Sequence, residues 1–435
     1  MPNTIVIDAA TRETRVAILE GGILRDFFME RRGARGIVGN VYKGKVIRVL
    51  PGMQAAFVDI GLEKAAFLYV TDVYKDHAAL EMPEQESEDE EEDDLEGAAG
   101  TDKPRAPRRG SRNMPPIEDQ LTQGQEILVQ VVKEPIGTKG ARVTCHVSLP
   151  GRHLVFMPTV DHLGISRQIA SDKERKRLRS LAAEMRPAGG GFIVRTAAEG
   201  VPSELLRRDM AILIDLWNNI LEASKRAKGR HLLHEDLDVV LRATRDLATE
   251  NIDEMIIDTR DEYDRVMAFV QRVMPRFARR IKLYVGEEPI FDAYGIEQEL
   301  RRAVDRRADL PSGGYLIIEK TEALTSIDVN TGRFVGSSNL LEETIVQTNI
   351  EAAAEIAYQL KLRSIGGLII IDFIDMEHAK NRQRVERAFQ DAVAKDRGRV
   401  KFSRISEFGI MEMTRKRTGD RLSDALGREC PACGG

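Results

Sequence analysis

Cysteine, tryptophan and long apolar runs are all scarce in this sequence. Three cysteines in 435 residues, two of them among the last six, do not make a disulfide framework, which points to a reducing, cytoplasmic setting. A single Trp217 and an aromatic content of 5% exclude a recognition surface built mainly from aromatic rings. No apolar run reaches the ~20 residues of a spanning helix. The opening MPNTIVIDAATRETR lacks the basic and apolar regions of a signal peptide. No membrane span is expected.

Net charge is small as well, at −5, but that figure hides two opposed blocks. Glu81–Asp102 holds 12 acidic residues and no Lys or Arg, and Lys103–Asn113 holds five basic residues and no acid. Outside these blocks 60 basic residues face 58 acidic ones, so attraction for a polyanion must come from local patches. The stretch Leu80–Pro116 that contains both blocks cannot bury apolar surface and reads as a disordered, solvated loop.

With 42% apolar and 31% charged residues, the chain is long enough for two or more domains with real cores. Its organising stretch is Ala323–Asp375: ALTSIDVNTG, a helix-like run LLEETIVQTNIEAAAEIAYQLKLR, then GGLIIIDFIDM. Leu368–Ile371 has the length and composition of a buried strand. Leu341, Ile345, Val346, Ile350, Ala353, Ala354, Ala357 and Leu360 fall at helical spacing between two strands. Alternation puts Asp328 and Asn330 on one face, and a strand–helix–strand return would bring Asp372 beside Asp328. Two carboxylates and an amide oxygen, with no His or Cys near, suit Mg²⁺. Turn capping or pairing with arginine would also account for both aspartates.

SIDVNTG and GGLIIIDFIDM, with the helix between them, resemble the catalytic region of the RNase E/RNase G family of bacterial endoribonucleases. The resemblance runs over nearly the whole chain and is closer to RNase G at the N-terminus. It implies that Asp328 and Asp372 are catalytic and bind Mg²⁺, with Asn330 in support. The implied reaction is hydrolysis of single-stranded RNA to 5′-monophosphate and 3′-hydroxyl ends, favouring 5′-monophosphorylated substrates, in rRNA processing and mRNA decay. The fold it implies is α+β and multidomain. Residues 1–35 and 241–303 would form an RNase H-like subdomain into which an S1 (OB-fold) barrel, 36–145, is inserted, itself interrupted at 80–116. A 5′-sensor region, 146–240, a DNase I-like catalytic subdomain, 304–427, and a zinc-link, 428–435, would complete it.

Residues from Gly36 alternate short β-rich runs with Gly and Pro turns, as in a small antiparallel barrel. Phe57 and Phe67 lie on neighbouring strands with Lys43, Lys45 and Lys64 nearby. Rings among cations hold single strands by stacking, although two phenylalanines in a barrel also fit its core. The resemblance carries these two rings, with Lys139 of the GTKG loop, to RNA binding. Arg195-Thr196, emerging from the run Gly191–Val194, suits either a phosphate or a surface ion pair. The resemblance makes it the 5′-phosphate sensor, helped by backbone groups of Gly151 and Val155. Arg415, Lys416 and Arg417 form a basic run that could steer an RNA backbone.

The chain ends ECPACGG. Cys430 and Cys433 offer two thiolates, whereas a structural zinc needs four ligands. The resemblance implies one Zn²⁺ shared between two chains, giving a homodimer or a higher oligomer. Family members continue with a small dimerisation domain, of which only Gly434-Gly435 could be a start. The competing reading of the whole is a non-catalytic S1-type RNA-binding protein, against which Asp328, Asn330 and Asp372 together speak.

Overall fold

The computed structural model describes residues 2–31, 35–73, 115–135, 139–187, 189–249, 251–332, 341–394, 396, 398, 400–416 and 421–427. The chain divides into two compact units: residues 1–34 with 239–435, and residues 35–238. The fold is mixed α and β. No helix among the described residues is long and apolar enough to cross a membrane.

The first unit contains two sheets. In the five-stranded sheet, Thr4–Asp8 is central, parallel to Glu254–Ile257 on one side and antiparallel to Glu13–Glu20 on the other. It is buried on both faces. Ile5 and Ile7 pack with Val266 and Val270 of the helix Arg260–Val273, while Val6 packs with Phe291, Ile296 and Leu300.

The second sheet has six strands, beginning with Arg307–Asp309, Tyr315–Lys320, Thr325–Asn330 and Gly367–Asp372. Ile410–Arg415 and then Val400–Phe402 complete it. The helix Leu341–Leu362 carries the chain from Thr325–Asn330 to the parallel strand Gly367–Asp372. One sheet face supplies Leu316, Ile318, Ile327, Ile369, Ile371, Met411 and Met413 to a core with Val346, Ala353, Ile356 and Leu360 of that helix.

The other face is not covered to the same extent, and the reading of Leu368–Ile371 as a buried strand holds for one face only, where Ile369 and Ile371 are buried. Leu368 is 43% exposed and Asp372 is exposed, because they alternate with Ile369 and Ile371. The helix also departs from its apolar pattern: Ala354 faces solvent while Thr348 and Asn349 are buried.

The second unit holds a closed five-stranded barrel. Val41–Leu50 pairs with both Ala55–Asp59 and Glu126–Lys133, and Ala66–Tyr69 pairs with Arg142–Thr144 in parallel. This is consistent with an OB-like fold. Val46, Val58, Leu68, Val129 and Val143 point inward. A four-stranded sheet follows, with the helices Asp172–Met185 and Ser203–Arg226 packed on it.

Candidate active site

Asp328 closes the parallel ladder between Thr325–Asn330 and Gly367–Asp372, paired in register with Asp372. Cross-strand partners share a face, so both carboxylates stand on the open side of the sheet. Although Asp372 is exposed, the partial desolvation of its carboxyl at the strand end pushes it up, and the charges of Asp328 and Asp375 push it further. Asn330, on the same face, donates from Nδ2 to Asp328 Oδ2 at 2.8 Å, which makes it a support that orients Asp328. Among the described residues no three His, Cys, Asp or Glu side chains are grouped to hold a metal. What is present is a pair of mutually repelling carboxylates with an amide, an all-oxygen donor set that a hard divalent cation fits and that a proton satisfies only in part.

Two contacts that the sequence reading missed hold the loop after Asp372. Asn349 is buried, accepts from Ile374 N at 3.1 Å and donates to Ile374 O at 2.8 Å. Glu342 accepts from His378 N at 3.1 Å and from Asn381 Nδ2 at 2.9 Å. Both reach across from the helix Leu341–Leu362. An Asn set among the apolar positions of the helical repeat, between Val346 and Ala353, was the available signal, since an amide facing a core needs partners.

In the barrel, Phe57 and Phe67 are register partners, half-buried, with ring centroids 5.7 Å apart at 70°. The row continues outward to Arg48 beside Phe57 and Arg142 beside Phe67. Tyr69 packs on Phe67 at 4.5 Å and carries the Arg142 guanidinium at 5.1 Å. Arg48, Tyr69 and Arg142 were not singled out from the sequence because register decides which side chains share a row. Lys139 is exposed at the end of the 139–141 segment, where Ala141 O accepts from Phe67 N at 2.7 Å. Lys43 stands elsewhere. Its ammonium bonds Ala227 O at 2.9 Å, Ser224 O at 3.2 Å and Glu126 at 2.8 Å, so it caps a helix end instead of lining the row.

Arg195 donates to Gly151 O at 2.7 Å, and the Gly151 N–H is engaged by Leu154 O at 2.8 Å. Both backbone groups of Gly151 are therefore used within the turn. Val155 lies on the strand Leu154–Met157, opposite Ile193. Thr196 Oγ1 pairs with Ser166 Oγ at 2.9 Å and donates to Gln168 Oε1 at 3.1 Å. The buried Asp209 carboxylate organises the turn, accepting from His153 N at 2.8 Å and Leu154 N at 3.2 Å. A Cβ at Gly151 would lie 2.8 Å from Asp209 Oδ1, so the turn tolerates no larger residue there. Glu174 accepts from Arg177 at 2.6 and 2.8 Å and from Gly200 N at 2.9 Å, tying a helix to the segment after Thr196.

Residues 148–418 match the model of the Ribonuclease E/G family. Ribonuclease G of Salmonella typhimurium (strain SL1344) is 45% identical over 435 residues, spanning all of this chain and 84% of that protein. The chain belongs to the ribonuclease E/G family. Ribonuclease G of Haemophilus influenzae is 44% identical over 431 residues, 99% of this chain and 83% of its own length. Ribonuclease E of Escherichia coli (strain K12) is 37% identical over 437 residues, covering all of this chain and 38% of that longer protein.

One basic residue singled out in this ribonuclease E/G chain is not on its surface. Arg415 is buried, bonded to Asp396 at 2.7 Å and to Ile365 O at 2.7 Å, and it holds the Asp396 carboxyl below its ordinary range against the effect of burial. It is structural, because in an antiparallel strand it alternates inward with Met411 and Met413. Lys416 is exposed, and Arg417 lies outside the described residues. So do Cys430, Cys433 and residues 74–114, which contain most of the expected 80–116 insertion.

Proposed function

We propose that this endoribonuclease hydrolyses single-stranded RNA at the Asp328–Asp372 pair, with Mg²⁺ as the bound cation. The observation that supports it is the register pairing of two carboxylates on an open sheet face. Asp328 and Asp372 would hold the ion, and Asn330 would keep Asp328 oriented through its 2.8 Å bond. A hard divalent cation there supplies an activated water and charge stabilisation at the phosphate. Asn349 fixes the loop through Ile374, so that Asp372 and Asp375 keep their spacing while the phosphate is engaged.

Phe57 and Phe67 would stack bases, with Lys139 on the phosphates, on a barrel read as an S1 domain. Arg195 and Thr196, with the turn of Gly151 and Val155, would bind a 5′-monophosphate, giving preference for such ends. At the Asp328–Asp372 pair, attack of water on the phosphorus with the 3′-oxygen as leaving group would give 5′-monophosphate and 3′-hydroxyl products. The five-stranded sheet is read as RNase H-like and the six-stranded one as DNase I-like. Cys430 and Cys433 of two chains would share one Zn²⁺ and make a homodimer. Work in rRNA processing and mRNA decay, in the cytoplasm, completes the reading. It is tested by cleavage of a 5′-monophosphorylated oligoribonucleotide with and without Mg²⁺. Cleavage that is unaffected by EDTA, or absent with Mg²⁺ present, would overturn it.

A further inference from the structure

Phe408 is 80% exposed, in the turn that leads into the strand Ile410–Arg415. Its place in the sheet is set by pairing. Ile410 is the register partner of Asp372, and Gly409 O accepts from Phe373 N at 3.0 Å. Gly409 has φ +75°, and a Cβ there would run into the Phe373 carbonyl and lie 3.3 Å from Asp375 Oδ1. The backbone of the turn thus touches the segment that carries Asp372 and Asp375.

The turn is closed by several hydrogen bonds. Ser406 N donates to Ile410 O at 2.9 Å and Gly409 N to Ser406 O at 3.2 Å. Ser406 Oγ accepts from Phe408 N at 3.3 Å and from Ile410 N at 3.1 Å. The buried Met411 and Met413 anchor the strand behind it. An apolar ring is therefore presented to solvent on a braced turn whose backbone adjoins the segment carrying Asp372 and Asp375.

We propose that Phe408 is a substrate-stacking residue, holding a nucleobase next to the scissile phosphate of single-stranded RNA. The proposal rests on the ribonuclease reading above. Its chemistry follows from the surroundings. A cation on this turn would be drawn to the carboxylates of the adjoining Asp372–Asp375 segment and compete with the metal, whereas a neutral ring engages a base through its π-face without disturbing them. The flanking Ser406 and Glu407 are exposed and polar, and the exposed Leu368 lies four residues before Asp372 along its strand. A lone ring in polar surroundings is the size of one base and far below a protein interface.

The test uses one-cut oligoribonucleotides in which a single abasic nucleotide is moved through the positions flanking the cut. Stacking at one base is worth roughly a ten- to hundred-fold effect. At one flanking position the abasic substitution should lower wild-type kcat/KM by that factor. Phe408→Ala should lose the same factor on the intact oligomer and be indifferent to the abasic site there. Phe408→Trp should restore both the rate and the sensitivity, and Phe408→Leu should restore neither. 2-Aminopurine at that position should be quenched by the wild type and not by Phe408→Ala, in EDTA as well. Wild-type-like cutting by Phe408→Ala, or abasic sensitivity that persists in it, would overturn the stacking role and leave the nuclease reading intact. A change of sedimentation on Phe408→Ala would overturn it in favour of an interface between chains. A wild type that cuts no oligomer would instead sink the ribonuclease reading beneath it.

Discussion

Asp328 and Asp372 are partners at the last pair of one parallel ladder, and desolvation together with the charges of Asp328 and Asp375 makes the Asp372 carboxyl harder to ionise. The folded Asp372 carboxyl sits above its ordinary range, so its ionisation opposes folding as pH rises through that range towards neutrality. Asp372→Asn should therefore melt slightly higher than the wild type at pH 7 in EDTA, and the gap should close near pH 4. Added Mg²⁺ should raise the wild-type melting temperature and leave Asp372→Asn nearly unmoved. Calorimetry across pH, with and without metal, checks both.

The same pair governs turnover. Asp328→Asn or Asp372→Asn should abolish cleavage while binding of single-stranded RNA survives, because the barrel residues lie in the other compact unit. Filter binding beside a cleavage assay separates the two, and ordinary cleavage by either variant would defeat the assignment.

Arg195→Ala should slow cutting of 5′-monophosphorylated RNA far more than of 5′-hydroxyl RNA. A charge-assisted contact of about 1.5–3 kcal/mol is at stake, which corresponds to roughly a ten- to hundred-fold rate ratio. Equal slowing would make Arg195 a brace for Gly151, to whose carbonyl it is bonded.

Glu174 titrates lower than usual, pushed down to about 2 by its bonds to Arg177 and the Gly200 N–H. Its depressed value means that its contribution is complete above the ordinary carboxylate range and is lost as pH falls towards 2. Glu174→Gln should lower the melting temperature by about 1–2 °C at pH 7 and by much less at pH 2–3. Thermal melts of both proteins across that range give the comparison.

Asn349→Asp keeps the volume but replaces the donor to Ile374 O, leaving a buried carbonyl unpaired at a cost of about 1–3 kcal/mol. It should reduce kcat several-fold with KM little changed, since the loop after Asp372 loosens while the barrel is untouched. Steady-state kinetics on one oligomer would show the split.

Pattern alone carries much of this chain. The strand–helix–strand order around Asp328 and Asp372 follows from two apolar runs and one helical repeat, and the helix forms over Leu341–Leu362. The barrel is legible in short β-rich runs separated by turns, because two-residue alternation and turn residues are local properties. What pattern could not say is which face each strand leaves open. Leu368 reads as core and is exposed, and Arg415 reads as surface and is buried. Both follow from where neighbouring elements lie.

Sequence by itself determined the acidic residues at the strand ends, the helix between them and the placing of Phe57 and Phe67 on neighbouring strands. Only tertiary structure decided that Asp328 meets Asp372 in register, that Arg48 and Arg142 flank the two rings, and that the turn bearing Phe408 adjoins the strand end of Asp372. The physical reason is that these relationships depend on cross-strand register and on packing between segments distant in the chain. A one-residue slip would turn every side chain of a strand to the opposite face.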